Sequence, residues 1–460
     1  MYDCITSNLQ GFAEAFIEKH NIPAISIATW QDGQLQTAAA GCLNLSTGVS
    51  ATTDSIFQIG SITKVMTACL VMQLVDEGRV ELDAPVKQYL HDFMIADAQA
   101  TESITVRQLL NHTSGMAGDY FPNDYGHEGN LIARYVDRCS LLPLVHPVGE
   151  MFSYSNAAFC VAGRLIEVVR GISWYQAMSD YLFKPLGMQH AIAHPSDVLR
   201  YRCAMGHIFD GSNTDRWVLP KKTYLTLGQA PVGSTPAMTP ENLIRFARGH
   251  LEGGLNEQGE RWLSADSVQQ MQQSQIELPK ASMIHDSHWG LGWGMGHYTN
   301  GDIWSVGHSG ATNGFLSQLL MLPADNKALA FCINGCRPSA YQALNTELNR
   351  AVFNLDLTQP EPDSTSTLDK LELITGQYES MDTHITVVRE QEQLKATIVY
   401  KVDPLPPLQA DLRHVKDGCF AVYSAAGHRC PNMVFLKPGE QGVPQYLFNG
   451  ARQNPRVANS

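Results

Sequence analysis

The sequence predicts a mixed α/β (α+β) protein: an antiparallel sheet flanked by helices, with an inserted all-helical lobe, followed by a small antiparallel β-barrel. Three observations predict this. Strand-like segments occur early and late in the first 355 residues, whereas the middle carries helical spacing. Short strand-like pieces separated by turn residues then recur closely to the end of the chain.

The elements justify this in order. Residues 7–20, SNLQGFAEAFIEKH, have the spacing of an amphipathic helix. The segment AISIATWQDGQLQTAAAG reads as a hairpin with Asp32-Gly33 at its turn. From about Ser61 to Glu77 the chain is apolar on every side, the pattern of a buried helix, and Gly78 supplies its stop. Helical spacing recurs in ITVRQLLNHTSG and in FCVAGRLIEVVRGISWYQAMSDYLF. Strands return in WGLGWGMGHYTNGDIWSVGHSG, GFLSQLLMLP and ALAFCINGC, and the helix PSAYQALNTELNRAVF closes this part. The polar, proline-containing LTQPEPDSTST lies in a linker over 356–368. Six pieces follow, GQYES, HITVVRE, QLKATIVY, GCFAVYS, NMVFLKP and PQYLFN. The division is therefore a domain over 1–355 with its helical lobe at about 80–260, the linker, and a barrel over 369–460.

Composition narrows the function. The chain has 460 residues, 44% hydrophobic and 17% charged, with a formal net charge of −13. That charge argues against nucleic acid and against anionic membrane surfaces as partners. There is no basic segment followed by an apolar run at the N-terminus and no apolar run of spanning length, so a cytoplasmic location is expected. Ten cysteines are scattered without a C-x-x-C, which predicts reduced thiols and no zinc framework. No metal or organic cofactor is implied.

The buried helix contains a lysine, Lys64, that needs a reason, because an unpaired buried ammonium costs several kcal/mol. Ser61 lies three residues earlier and shares its helical face, at about 5–6 Å between Cβ atoms. Ser61 also sits where unpaired backbone N–H groups favour negative charge. A desolvated lysine has a lowered pKa and can take a serine proton. The alternative is a capping serine beside a snorkelling lysine. This is the only S-x-x-K in the chain.

Two further pieces join it. Tyr154-Ser155-Asn156 precedes a helical segment; the tyrosine can relay a proton, and the asparagine can bind a substrate carbonyl and hold the lysine. His308-Ser309-Gly310 falls on an expected strand, where Gly310 permits close approach. The backbone N–H of Ala311 then pairs with that of Ser61 as an oxyanion hole. A second Y-x-N at Tyr298 reads as a hairpin turn, and His127-Glu128-Gly129 lies in a polar loop.

Together S-x-x-K, Y-x-N and H-x-G in this order resemble the serine β-lactamase, penicillin-binding protein and D-aminopeptidase superfamily. The resemblance is to its class C and carboxylesterase-like branch and covers about residues 10–355. It extends to ITVRQLLNHTSGM, PLGM at 185–188, WGLGW at 289–293 and GHSGATNGF. It implies Ser61 as acylated nucleophile, Lys64 as its activator and Tyr154 as proton relay. Asn156, His308, Ser309 and Gly310 would support or bind substrate, and the terminal barrel would be lipocalin-like. Which of Lys64 and Tyr154 is the formal base stays open. The third motif departs from Lys-Thr-Gly, so at most weak β-lactamase activity is expected. The H-x-G variant resembles D-aminopeptidases, esterases and penicillin-binding-protein-type thioesterases. The implied substrates are D-residue peptides or amides, or alternatively ester or carrier-bound thioester donors. Transfer is then to water or an amine, including cyclisation.

A rival nucleophile is Ser309, since GHSGA nearly matches G-x-S-x-G. That elbow needs a helix directly after the serine, but FLSQLLMLP reads as a strand. His112 is expected to brace a loop. Acids in 116–150, including Asp119, Asp124 and Glu128, line the cleft and bind a substrate amine, or belong to a solvated loop.

Overall fold

The computed structural model describes residues 3–121, 129–210, 216–279, 286–298, 303–355, 361–362, 371–401, 406–425, 427–439 and 441–457. The linker at 356–368 falls almost wholly outside them, as do His127, Glu128, Asp124, Tyr125 and the end of the second Y-x-N. The first part is a three-layer arrangement built on a nine-stranded antiparallel sheet. The early strand Ala24–Gln31 and the late strand Lys327–Ile333 are its third and fourth strands and pair directly, with Ile25 opposite Ile333. The hairpin turn is at Asp32 and Gly33, both at positive φ, as a two-residue loop between strands requires.

One sheet face is covered by helices Leu9–His20 and Pro338–Phe353. Phe16, Ile25, Ile27, Phe331, Leu344 and Leu348 form the core between them. The other face packs on the helix Pro240–Leu251, and in the helix Thr63–Asp76 the residues from Thr63 to Leu74 are all buried. That total burial is why the segment shows no polar face. Gly78 follows with φ +67°.

The inserted lobe is not purely helical. Besides helices such as Leu131–Arg138, Asn156–Arg170 and Pro240–Leu251 it holds short strands. Ala237–Met238 pairs with both Phe57–Gln58 and Ala191–Ile192. Two-residue strands carry no readable alternation, so sequence pattern missed them. The long helical segment also breaks at Gly171, φ +74°, before Trp174–Met178 resumes.

The terminal unit is an eight-stranded antiparallel barrel in sequential order, drawn toward closure by a bridge between Tyr378 and Arg456. Two strands, Leu408–Lys416 and Arg452–Pro455, add to the six expected. The first is heavily charged on its outward positions, and the second reads Arg-Gln-Asn-Pro, with no apolar residue to mark it. Alternation sorts the barrel's residues. Phe420 and Val422 point into its core, whereas Cys419 and Ala421 point out. The outward set, with Val434, Phe448 and Ala451, packs on Phe152, Tyr154, Leu278 and Trp289 of the first unit. Among the described residues no helix is long and apolar enough to cross a membrane, and the nine cysteines from Cys42 to Cys430 are free thiols.

Candidate active site

Ser61 lies in a single 3₁₀ turn, Gly60–Ile62, that leads into the buried helix. Lys64 is wholly buried, and its Nζ donates to Ser61 Oγ at 2.9 Å and to the Val232 carbonyl at 3.2 Å. Thr67 Oγ1 donates to the neighbouring Pro231 carbonyl at 2.8 Å, so the lobe's loop holds the same helix face. Burial, with a smaller contribution from the Arg452 guanidinium, pulls the Lys64 pKa down to about 7. A lysine so placed is partly neutral at neutral pH and can accept the serine proton.

Tyr154 stands on the far side. Lys64 Nζ is 4.8 Å from its ring centroid, and its hydroxyl is 3.4 Å from His308 Nε2. His308 Nδ1 lies 2.6 Å from the Ser309 carbonyl. A carbonyl only accepts, so Nδ1 carries the proton and Nε2 receives from the phenol. Burial and the Lys64 charge hold His308 down at about 3, neutral at ordinary pH. Burial also drives the Tyr154 phenol well above its usual value, despite its hydrogen bond with Ser61. Tyr154 therefore enters the cycle protonated.

The strand Ile303–Thr312 is pressed against the serine turn. A Cβ on Gly310 would lie 1.9 Å from the Ile59 carbonyl oxygen and 2.4 Å from Ser317 Oγ, so only glycine fits. A Cβ on Gly60, itself at φ +52°, would meet Ala311 N at 2.6 Å. The backbone of Ala311 thus lies directly beside the serine turn, the arrangement an oxyanion hole needs. Thr312 Oγ1 and Ser317 Oγ tie the strands to Gln58 Oε1 and the Ile59 carbonyl at 3.0 and 2.8 Å. Ser309 is exposed on this strand and is followed by another strand, Phe315–Leu322, which removes the elbow geometry.

Asn156 opens the helix Asn156–Arg170, which Ser155 caps by accepting from Ala158 N. Its amide does not reach for Lys64; it donates to Asp119 Oδ1 at 2.6 Å. Asp119 in turn takes a two-pronged contact from Arg452, Nε at 2.6 Å and Nη2 at 3.0 Å. The expectation that Asp119 awaits a substrate amine is thus corrected, because a barrel arginine already occupies it. Arg452 also lies 4.7 Å over the Tyr154 ring. Around it, Tyr154 N donates to the Ala451 carbonyl at 2.9 Å and Gln453 Nε2 to the Phe152 carbonyl at 3.1 Å. The barrel therefore builds one wall of the site. Sequence reasoning missed Arg452, and it had no local motif to find it by.

His112 braces this wall, as expected. Its Nδ1 accepts from Ser155 N at 3.0 Å, its carbonyl accepts from Ser153 N at 2.9 Å, and its ring packs 4.3 Å from that of Tyr154.

An antiparallel sheet with a helical lobe and a cluster of a half-buried Ser61 with buried Lys64 and Tyr154 at their junction defines a serine hydrolase of the β-lactamase/transpeptidase type. The family model described as Beta-lactamase matches residues 9–352, and the chain belongs to that family. Penicillin-binding protein 4 of Amycolatopsis lactamdurans is 38% identical over 322 residues, covering 70% of this chain and 83% of that one. The crystal structure of SurE with D-Leu superposes with a TM-score of 0.78 at 26% identity, covering 98% of this chain and 99% of that one. The D-amino acid amidase from Ochrobactrum anthropi SV3, complexed with D-phenylalanine, shares the fold at a TM-score of 0.62, 20% identity and coverage of 75% and 98%.

Proposed function

We propose that this serine hydrolase works through an acyl-Ser61 intermediate on peptides or amides carrying a D-residue at the scissile carbonyl. The observation that carries the mechanism is the 2.9 Å hydrogen bond between Ser61 Oγ and a fully buried Lys64 whose pKa is drawn to about 7. Neutral Lys64 takes the proton as Ser61 Oγ attacks, and the Ser61 and Ala311 N–H groups receive the developing oxyanion. Protonated Tyr154 then passes a proton to the leaving group, and Lys64 resupplies it. Water or an amine releases the acyl group. The D-residue assignment is supported by the likeness to SurE, seen with D-Leu, along nearly the whole chain including the barrel.

A second reading has the donor as a carrier-bound thioester or an ester, with an amine of the same peptide as acceptor. The observation favouring it is the dryness of the site. Lys64 is fully buried, and Tyr154, Asn156 and His308 are each no more than 8% exposed. Excluding water protects an acyl-enzyme from hydrolysis. On either reading neutral His308 supplies no fixed cation for a β-lactam carboxylate, so β-lactam turnover is weak.

The test is intact mass and peptide mapping after mixing with matched D- and L-residue amide, ester and thioester donors. A transient adduct on Ser61 from D-donors, absent from Ser61→Ala, is expected. An adduct on Ser309, or unchanged turnover in Ser61→Ala, would overturn the mechanism.

A further inference from the structure

Where the barrel meets the first unit, a cavity of about 250 Å³ opens beside Asp119 and Arg452. Its wall is apolar at Ile398, Leu408 and Val422 and carries a second carboxylate at Asp382. This is below the ~300–1,000 Å³ of complete ligand pockets, so it has the size of a subsite for one arm of a larger molecule. It adjoins the reacting groups, because Asp119 holds Asn156 and Arg452 lies over Tyr154.

The polar lining decides what that arm carries. Arg452 is committed, with Nε and Nη2 on Asp119 and Nη1 on the Gly450 carbonyl at 2.8 Å. A carboxylate entering here would have to strip that pair apart in a partly buried setting. Asp382 receives a neutral hydroxyl, Ser380 Oγ, at 2.5 Å. The lining acids thus outnumber the lining cation, and burial together with the Asp119 charge makes Asp382 hold its proton more tightly than usual. A cation is the group that relieves this imbalance.

We propose that the barrel-mouth cavity binds a protonated amine on a short apolar arm of the substrate, with Asp382 as its counter-ion. The apolar wall takes the arm's methylene groups, and the ammonium ends at Asp382, while Asp119 stays paired with Arg452. This deepens the acyl-enzyme reading and rests on it for the identity of the substrate. It makes the preferred peptide one with a basic side chain or a free amino terminus within reach of the acylated serine.

The cavity also contains its own reporter, Cys430, a free and only partly buried thiol in the lining. Alkylation of Cys430 by iodoacetamide, followed by peptide mapping, reads occupancy, and Cys203, a partly buried thiol outside the lining, serves as reference. Protein would be treated with n-butylammonium, n-butanol or butyrate at equal concentration, as wild type and as Asp382→Asn. Expected is selective protection of Cys430 by butylammonium, at least tenfold more effective than by butanol, and reduced to the butanol level in Asp382→Asn. Equal protection by amine and alcohol, stronger protection by butyrate, or an unaltered amine preference in Asp382→Asn would each overturn the proposal. The wild-type comparison needs no variant to fold, and none of these arms needs turnover. Acylation of Ser61 by a neutral D-donor separately decides the acyl-enzyme reading.

Discussion

Replacing Arg452 by glutamine should move the acidic limb of the pH–activity profile. The base, Lys64, must be neutral to act, so activity falls as pH drops through its pKa of about 7. Lys64 Nζ and the Arg452 guanidinium carbon lie 4.8 and 4.7 Å from the same Tyr154 ring centroid. They are therefore no more than about 9.5 Å apart, and at an effective dielectric of ~20 their repulsion is about 1.7 kcal/mol, a little over one pH unit. Removing the guanidinium raises the lysine pKa by at least about this, since 9.5 Å is the greatest separation the two distances allow. The assay is kcat/KM from pH 5.5 to 9.5 on an ester donor with a leaving group that does not titrate in that range. The ratio of variant to wild type should rise about tenfold from pH 6 to pH 9.5, and Arg452→Lys, which keeps the charge, should hold the limb nearer to wild type. A ratio independent of pH would refute the coupling of the barrel to the base.

Other outcomes follow from the same geometry. Lys64→Met should inactivate the enzyme but stabilise the fold. A lysine whose folded pKa of about 7 lies below its unfolded value near 10.5 disfavours folding increasingly as pH falls between those values and constantly below. The variant's gain in unfolding free energy, measured by urea denaturation, should therefore grow from about pH 10 to pH 7 and level off at about 4–5 kcal/mol. Gly310→Ala puts a methyl 1.9 Å from the Ile59 carbonyl oxygen; moving Ala311 away from the serine turn should lower kcat by roughly 10²-fold, read as slower acyl-adduct formation in a protein that still folds. Phe448→Ala removes a fully buried ring packed at 6.2 Å on that of Phe152. It should cost about 3–5 kcal/mol in a chemical melt and reduce turnover, because the same contacts hold the Tyr154 wall; full activity in a destabilised protein would separate the two.

Much of the first unit was legible because its signals are local. The hairpin at Asp32-Gly33 follows from turn chemistry, and the helix Thr63–Asp76 from an apolar run with one lysine. Ser61, Lys64, Tyr154 and His308 were found through short motifs, and the structure brings them together, with Lys64 on Ser61 and Tyr154 beside His308. The partner of Asn156 was misjudged, because an amide has no preference that sequence spacing records; its geometry here delivers it to Asp119. The two-residue strands of the lobe were too short for periodicity to show.

Arg452 marks the boundary between what the two levels determine. By itself the sequence determined the serine–lysine pair, since a lysine in a fully apolar helix demands a local reason and Ser61 is one helical turn away. It also determined that a barrel follows, through alternation in six of its strands. Only the tertiary structure decided that the barrel packs on Phe152 and Tyr154 and extends an arginine to Asp119, 333 positions distant in the chain. The strand bearing that arginine, Arg452–Pro455, has no apolar pattern because its neighbours Gln453 and Asn454 are buried through hydrogen bonds instead. Periodicity records which side chains leave water for an apolar core. It holds no trace of a polar contact closed between the barrel and the first unit, whose existence depends on how their surfaces meet.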